Sequence, residues 1–159
     1  MKRYLTSLLI LFCLTSQSQV ITKDMLKPIA LRSGLMMLSG SFDATAEVLR
    51  INYSYFAKVH PNANPEFWNP NESWVNKWEN GDPAQGEKFP LSSTALVFTT
   101  DAYHLFRMGR NVTMITAITI PIGRKGKNWK QYVVEGSIYY LSYTAGFNLS
   151  AIYVEDKEL

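Results

Sequence analysis

Thiols are almost absent from this chain: of its 159 residues only Cys13 is a cysteine. It sits within "MKRYLTSLLILFCLTSQS", where Lys2 and Arg3 precede an apolar run from Tyr4 to Leu14 and small polar residues follow. That order is the pattern of a secretory signal peptide over residues 1–18, with Ser16 and Ser18 before the expected cut. Phe12 stands just before Cys13, where a lipoprotein signal needs a small residue, so lipidation is not expected. Cleavage after Ser18 leaves residues 19–159 as a single expected domain without a thiol. This excludes a disulfide framework, thiolate ligation of a metal and a cysteine nucleophile.

Excess charge is missing too. Two of the 16 Lys and Arg belong to the leader, and the remaining 14 face 13 acidic residues. A chain so nearly balanced has no electrostatic footprint for nucleic acid, and no nucleic-acid partner is expected. The basic residues concentrate once, in "GRKGKNWK" (Arg124, Lys125, Lys127, Lys130), which is either a solvated turn or a contact for anionic lipid headgroups. There is no G-x-S-x-G, no Walker loop, no H-E-x-x-H and no Gly-rich loop after a strand. No segment reads as a clean transmembrane helix, and the apolar run of the leader falls short of the roughly 20 residues that a bilayer requires.

What is present is apolar periodicity at helical spacing, which predicts an all-α chain of three main helices, about 26–59, 91–122 and 129–153. In the first, Leu31, Leu35, Leu38, Phe42, Leu49, Tyr53 and Phe56 share a stripe, with Arg32, Asp43, Glu47, Arg50 and Lys58 opposite. The second has Ser92 or Ser93 as its cap and an apolar face of Ala95, Val97, Phe98, Ala102, Leu105, Phe106, Met108 and Val112. Its β-branched end, "NVTMITAITIPI", continues the helix or becomes a strand; continuation is expected. In the third, Val134, Ile138, Leu141, Ala145, Leu149 and Ile152 recur at intervals of three and four, and Gln131, Glu135, Tyr139, Ser142 and Gly146 form a second, more polar line.

Between the first two helices, residues 60–90 contain Pro61, Pro65, Pro70, Pro83 and Pro90, which exclude a long helix. A short helix over 70–78 is expected, capped by Asn69 and stopped by "ENGDP". Trp68, Trp74 and Trp78 lie within 11 residues, and two readings stand side by side: an aromatic anchor at a membrane–water boundary, or a lid packed on the helices. A hydrophobic content of 47% with four tryptophans and nine tyrosines favours a protein that lies on or partly in a bilayer. The expected setting is the cell envelope, with membrane lipid or an envelope protein as partner.

Few ionisable groups stand where chemistry would need them. Asp101 and His104, three apart, share one face of the second helix, and Asp101 stands on its apolar side. A carboxylate there needs a partner, since an unpaired buried charge is costly. Asp43 and Glu47 share a face of the first helix, and Glu135 stands on the third. Together Asp101, His104, Glu135, Asp43 and Glu47 are a candidate ligand set for a divalent metal in a bundle core. The same dyad suits acid–base hydrolysis of a lipid or other envelope substrate, His104 as base and Asp101 fixing its tautomer. The structural alternatives are a salt-bridged stripe for Asp43, Glu47 and Arg50, an ion pair for Glu135 with the basic segment, and a hydrogen-bonded pair for Asp101 and His104 that reaches Arg107 or Arg50.

The stretch "NPEFWNPNESWVNKWENGDPAQGEKFPLSSTALVFTTDAYHLFRM", residues 64–108, resembles a group of small exported or membrane proteins of bacteria. That group shares F-W-N-P-x-x-S-W-x-N-K-W, then G-D-P, F-P-x-S-T and T-D-A-Y-H-L. The group carries no established activity and so lends no catalytic residues. The resemblance implies that the tryptophan loop and the Asp101–His104 helix form one unit.

Overall fold

The computed structural model describes residues 21–120 and 126–155. The expected signal peptide, residues 1–18, lies outside them, as do Arg124 and Lys125. All regular structure among the described residues is helical, and the one isolated β-bridge pairs Trp78 with Glu87.

Helix α1 (Lys23–Ile51) starts after Thr22 in extended backbone, with Asp24 in the first turn where a negative charge complements the helix dipole. It stops at Asn52 (φ −134°, ψ 44°), and the chain resumes as α2 (Tyr53–Val59). The single helix expected to Val59 is therefore broken, at a residue whose side chain competes with the helical backbone for hydrogen bonds. Two one-turn helices follow, α3 (Pro65–Trp68) and α4 (Pro70–Ser73), each opened by an Asn-Pro pair. Asn64 and Asn69 accept from the backbone N–H two residues on, and proline supplies the helical φ. The expected 70–78 helix splits: after Ser73 the chain tightens into 3₁₀ turns at Trp74–Lys77, Glu79–Gly81 and Pro83–Gln85.

The second main helix, expected from residue 91, starts at Ala102. Residues 91–101 form turns pinned by Glu87, which accepts from the Ser93 hydroxyl and from the N–H groups of Leu91 and Ser93. Those bonds hold the Glu87 carboxyl below its ordinary range. Helix α5 (Ala102–Thr119) begins only where Asp101 caps it and carries "NVTMITAIT" as helix, not strand. Helix α6 (Trp129–Glu155) opens on a reciprocal cap: Gln131 N–H donates to Asn128 Oδ1 at 3.0 Å, and Asn128 N–H donates to Gln131 Oε1 at 2.8 Å.

Helix α1 packs along both α5 and α6, which meet each other sparsely at most. At one end the packing is conventional. Val48, Leu49, Phe56 and Ala102 are buried, with Tyr53, Ala63, Phe67, Trp68 and Phe106 around them. Trp68 stacks on Phe56 with centroids 5.2 Å apart and also meets Phe67 and Phe106. Such aromatic pairs add about 0.5–1.5 kcal/mol each beyond area burial.

Elsewhere the expected faces are inverted. Leu31 and Leu38, on the stripe predicted to face inward, are exposed, while Arg32, Ser39 and Gly40 are buried. On α6 the apolar stripe Leu141, Leu149 and Ile152 faces out, and Glu135, Tyr139 and Gly146 of the polar line turn toward α1. Leu105, Met108 and Val112 of α5 are likewise exposed. The reason is steric at Gly40 and Gly146. A Cβ on Gly40 would lie 2.0 Å from the Tyr143 carbonyl oxygen, and one on Gly146 would lie 1.9 Å from that of Met37. The backbones of α1 and α6 thus touch where larger side chains cannot fit, and Ser41 Oγ donates across to Gly146 O at 3.3 Å.

Candidate functional site

Polar chemistry falls into three separate places. The first is Asp101, whose extended backbone (φ −157°, ψ 159°) makes it the N-cap of α5. Asp101 Oδ1 accepts from His104 N–H at 2.8 Å, satisfying one of the donors a helix start leaves open. His104 Nδ1 lies 2.7 Å from Oδ2 and 2.9 Å from Oδ1. An ionised carboxylate only accepts, so Nδ1 is the nitrogen that carries a proton toward Asp101. Asp101 is 2% exposed, whereas the side chain of His104 is partly open. The pair is thus half-buried, and its partners are local: neither Arg107 nor Arg50 reaches it, since both turn to Glu47. The spacing suits an oriented base. Yet neither residue lines the cavities at Arg32–Glu135, His60–Trp68 or Asn76–Thr100. The tryptophan loop is tied to this point, because Asn76 Nδ2 donates to Thr100 O at 3.1 Å and Ser92 Oγ donates to Lys77 O at 2.7 Å.

The second place is the middle of α1. Asp43 accepts from Arg110 Nη1 at 2.9 Å and from the Tyr143 hydroxyl, so it ties α1 to α5 and α6 at once. Arg107 bridges Asp43 and Glu47 at 3.9 and 3.6 Å, and Arg50 pairs with Glu47 at the surface. Burial, with the Asp43 hydrogen bond and charge, pushes the Tyr143 hydroxyl up to about 12. The salt-bridged stripe expected of Asp43, Glu47 and Arg50 holds for the last two; Asp43 faces inward.

The third place is Glu135, near the start of α6. Lys127 Nζ donates to Oε2 at 2.7 Å and lies 2.6 Å from Oε1. The Tyr139 hydroxyl donates to Oε2 at 2.9 Å, and Arg32 Nη1 stands 3.7 Å away. Arg32 Nη2 also donates to Ile120 O at 2.7 Å, joining α1 to the end of α5. The side chains of Arg32, Glu135 and Lys127 are only 7%, 4% and 4% exposed. Lys127 is therefore neither a solvated turn residue nor a surface contact for lipid, while Lys130 lies over the ring of Trp129.

The candidate metal ligands are thus divided. Asp101 stays with His104, Asp43 with Glu47, and Glu135 stands apart with two cations. Among the described residues no group of three or more His, Cys, Asp or Glu is placed to hold a metal ion. Each carboxylate has found a cation, a tyrosine or a helix start instead. Of the tryptophans, Trp68 belongs to the aromatic core, Trp74 is exposed, and Trp78 is partly buried beside Lys77. Sequence reasoning missed Tyr143 and the inward course of Arg32 and Lys127. The polar line on α6 was the available signal, since a glutamate on it needs a cation from a facing element.

No protein-family model, curated protein or solved structure matches the chain.

Proposed function

We propose that this is an exported protein of the cell envelope that lies in the membrane surface, with the outer faces of α5 and α6 against lipid and no catalytic role for Asp101 and His104. The observation that carries this reading is the inside-out distribution of charge. On α6 the only charged side chain from Gln131 to Tyr153 is Glu135, and it is buried. Its outer face is Val133, Tyr140, Leu141, Leu149 and Ile152. The exposed apolar residues of α5, Leu105, Met108, Val112, Ile115 and Ile118, follow helical spacing, and Arg107 and Arg110 turn toward α1. In water an outer helix carries its charges outward; lipid reverses the preference, and ionisable groups then face the bundle interior. Small residues at the α1–α6 contact fit the same solvent.

None of the described helices is long and apolar enough to cross a membrane. The reading is accordingly one of lying in the interface, where an apolar face sinks into the headgroup–acyl boundary. Asp101 and His104 serve as a cap that starts α5 beneath the tryptophan loop.

Flotation of the mature chain with phosphatidylcholine vesicles tests this. Wild type should float with the vesicles, and Leu149→Lys with Ile115→Lys, which alter only exposed positions, should stay in the aqueous fraction with native helicity. A wild-type protein that is monodisperse without detergent and does not float overturns the reading.

A further inference from the structure

The cavity between His60 and Trp68 measures about 560 Å³ and opens among the end of α2, the turn that follows it, α5 and the end of α6. That volume is in the range of small-molecule sites. Five rings line it: Phe56, His60, Trp68, Phe106 and the exposed Tyr153. Four of them hold one another in place. Phe56 meets His60 and Trp68 with centroids 4.6 and 5.2 Å apart, and Trp68 meets Phe106 at 6.0 Å. The wall is therefore formed before a ligand arrives, which spares the ligand the cost of ordering it. Among the described residues no Asp, Glu, Lys or Arg lines this cavity, unlike the one at Glu135. A charged guest would shed water there without gaining an ion partner. Polar groups are present all the same. The His60 ring, the Asn62 amide and the Ser150 hydroxyl belong to the lining, and none spends a hydrogen bond on another described residue.

We propose that this cavity binds a small uncharged compound with a planar ring and one hydrogen-bonding substituent, the ring against Trp68 and Phe106 and the substituent toward His60, with Asn62 and Ser150 beside it. Fixed rings favour a flat guest over a flexible chain. Each ring pair adds attraction beyond area burial, and a planar guest has little conformational freedom to lose. The charge-free lining selects against ions, and the unspent polar groups select for a guest that can donate or accept over a plain hydrocarbon. The proposal uses none of the outer faces of α5 and α6 and stands apart from the membrane reading.

Nuclear magnetic resonance of the full mature chain in neutral detergent reads the site, by following the tryptophan indole N–H signals during titration with 1-naphthol. The Trp68 signal should shift and saturate. Those of Trp74 and Trp129, which are exposed and outside the cavity, should stay in place. Naphthol merely dissolved in micelles would move the exposed tryptophans as much as Trp68, and that result overturns the proposal. 1-Naphthoate has the same rings with a charge, and octan-1-ol has a hydroxyl without a ring. Each should bind at least roughly ten-fold more weakly, the factor that one unmet polar or aromatic contact carries; parity of either with 1-naphthol sinks the assignment. His60→Phe keeps a ring in the wall and removes its hydrogen bond. It should weaken 1-naphthol about five-fold, as loss of one neutral hydrogen bond does, and leave naphthalene binding unchanged. Ser150→Phe fills the cavity from a partly exposed position on α6 and should abolish the saturable shift with native helicity. If 1-naphthol binds both variants as it binds wild type, the cavity is not its site and the proposal fails.

Discussion

The two ends of α1 solve the packing problem in opposite ways. Around Leu49 and Phe56 the helix buries apolar and aromatic side chains beneath Trp68 and Phe106, as a protein in water does. Around Arg32, Ser39 and Gly40 it buries charge, hydroxyl and bare backbone, while leucines on the same helix face out. One end is held by dispersion and water exclusion. The other is held by close backbone approach and buried ion pairs, which contribute little net stability but cost much when one partner is removed. The lesson is that one helix can be held by two different kinds of contact along its length.

The sharpest way to break the comparison is at the glycine contact. Gly146→Ala puts a Cβ against the Met37 carbonyl, which backbone movement alone can relieve, and should cost about 3 kcal/mol or more or separate α6 from α1 altogether. Gly136→Ala on the same helix meets open space and should instead stabilise by about 1 kcal/mol. Thermal denaturation in neutral detergent distinguishes the two. If both glycines tolerate alanine equally, the α1–α6 contact is not as close as described.

At the conventional end, Phe56→Ala should cost about 3–5 kcal/mol by emptying the space under Trp68. This loss should be unaffected by adding lipid, unlike substitutions on the outer faces.

Tyr143→Phe comes next. It removes the hydroxyl donor to Asp43 and should cost about 1.5–3 kcal/mol at neutral pH, the range for hydrogen bonds to charged groups. The folded hydroxyl is raised to about 12 against 10 unfolded, so its contribution is complete below pH 10 and is lost as pH rises from 10 to 12. Stability of the wild type should fall across that window, and the fall should be shallower in Tyr143→Phe.

The smallest expected effect tests the cap. Asp101→Ala should cost about 0.5–2 kcal/mol and fray the first turn of α5, seen as faster amide exchange at His104 and Leu105. His104→Ala keeps the N–H that Asp101 caps and should cost about 1 kcal/mol. A His104→Ala protein with native stability but no function in cells would turn the pair back toward chemistry.

Much of the fold was legible in the sequence. Periodicity of three and four located α1, α5 and α6, and Asn69 with Pro70 marked the start of one short helix, while the one-turn helix opened by Asn64 and Pro65 was not expected. Asp101 and His104 were legible as a pair. The start of α5 was misjudged because apolar residues from 95 to 98 continue the helical spacing, and spacing carries no information about Asp101 being in extended backbone. The metal grouping failed for a related reason. Candidate carboxylates on three helices can be assembled on paper, but each was claimed by a cation, a tyrosine or a helix start close to it.

Composition and spacing by themselves determined that this chain is helical, where its long helices run and which side chains share a line. Those are local properties, set by backbone geometry and side-chain shape within a few residues. Which line faces inward was decided only by the tertiary structure. Two glycines let α1 and α6 touch, that contact drew Glu135 toward Arg32 and Lys127, and the leucines were left outside. Phase is a property of the pair of helices, and the energy that selects it appears only when both backbones are in place.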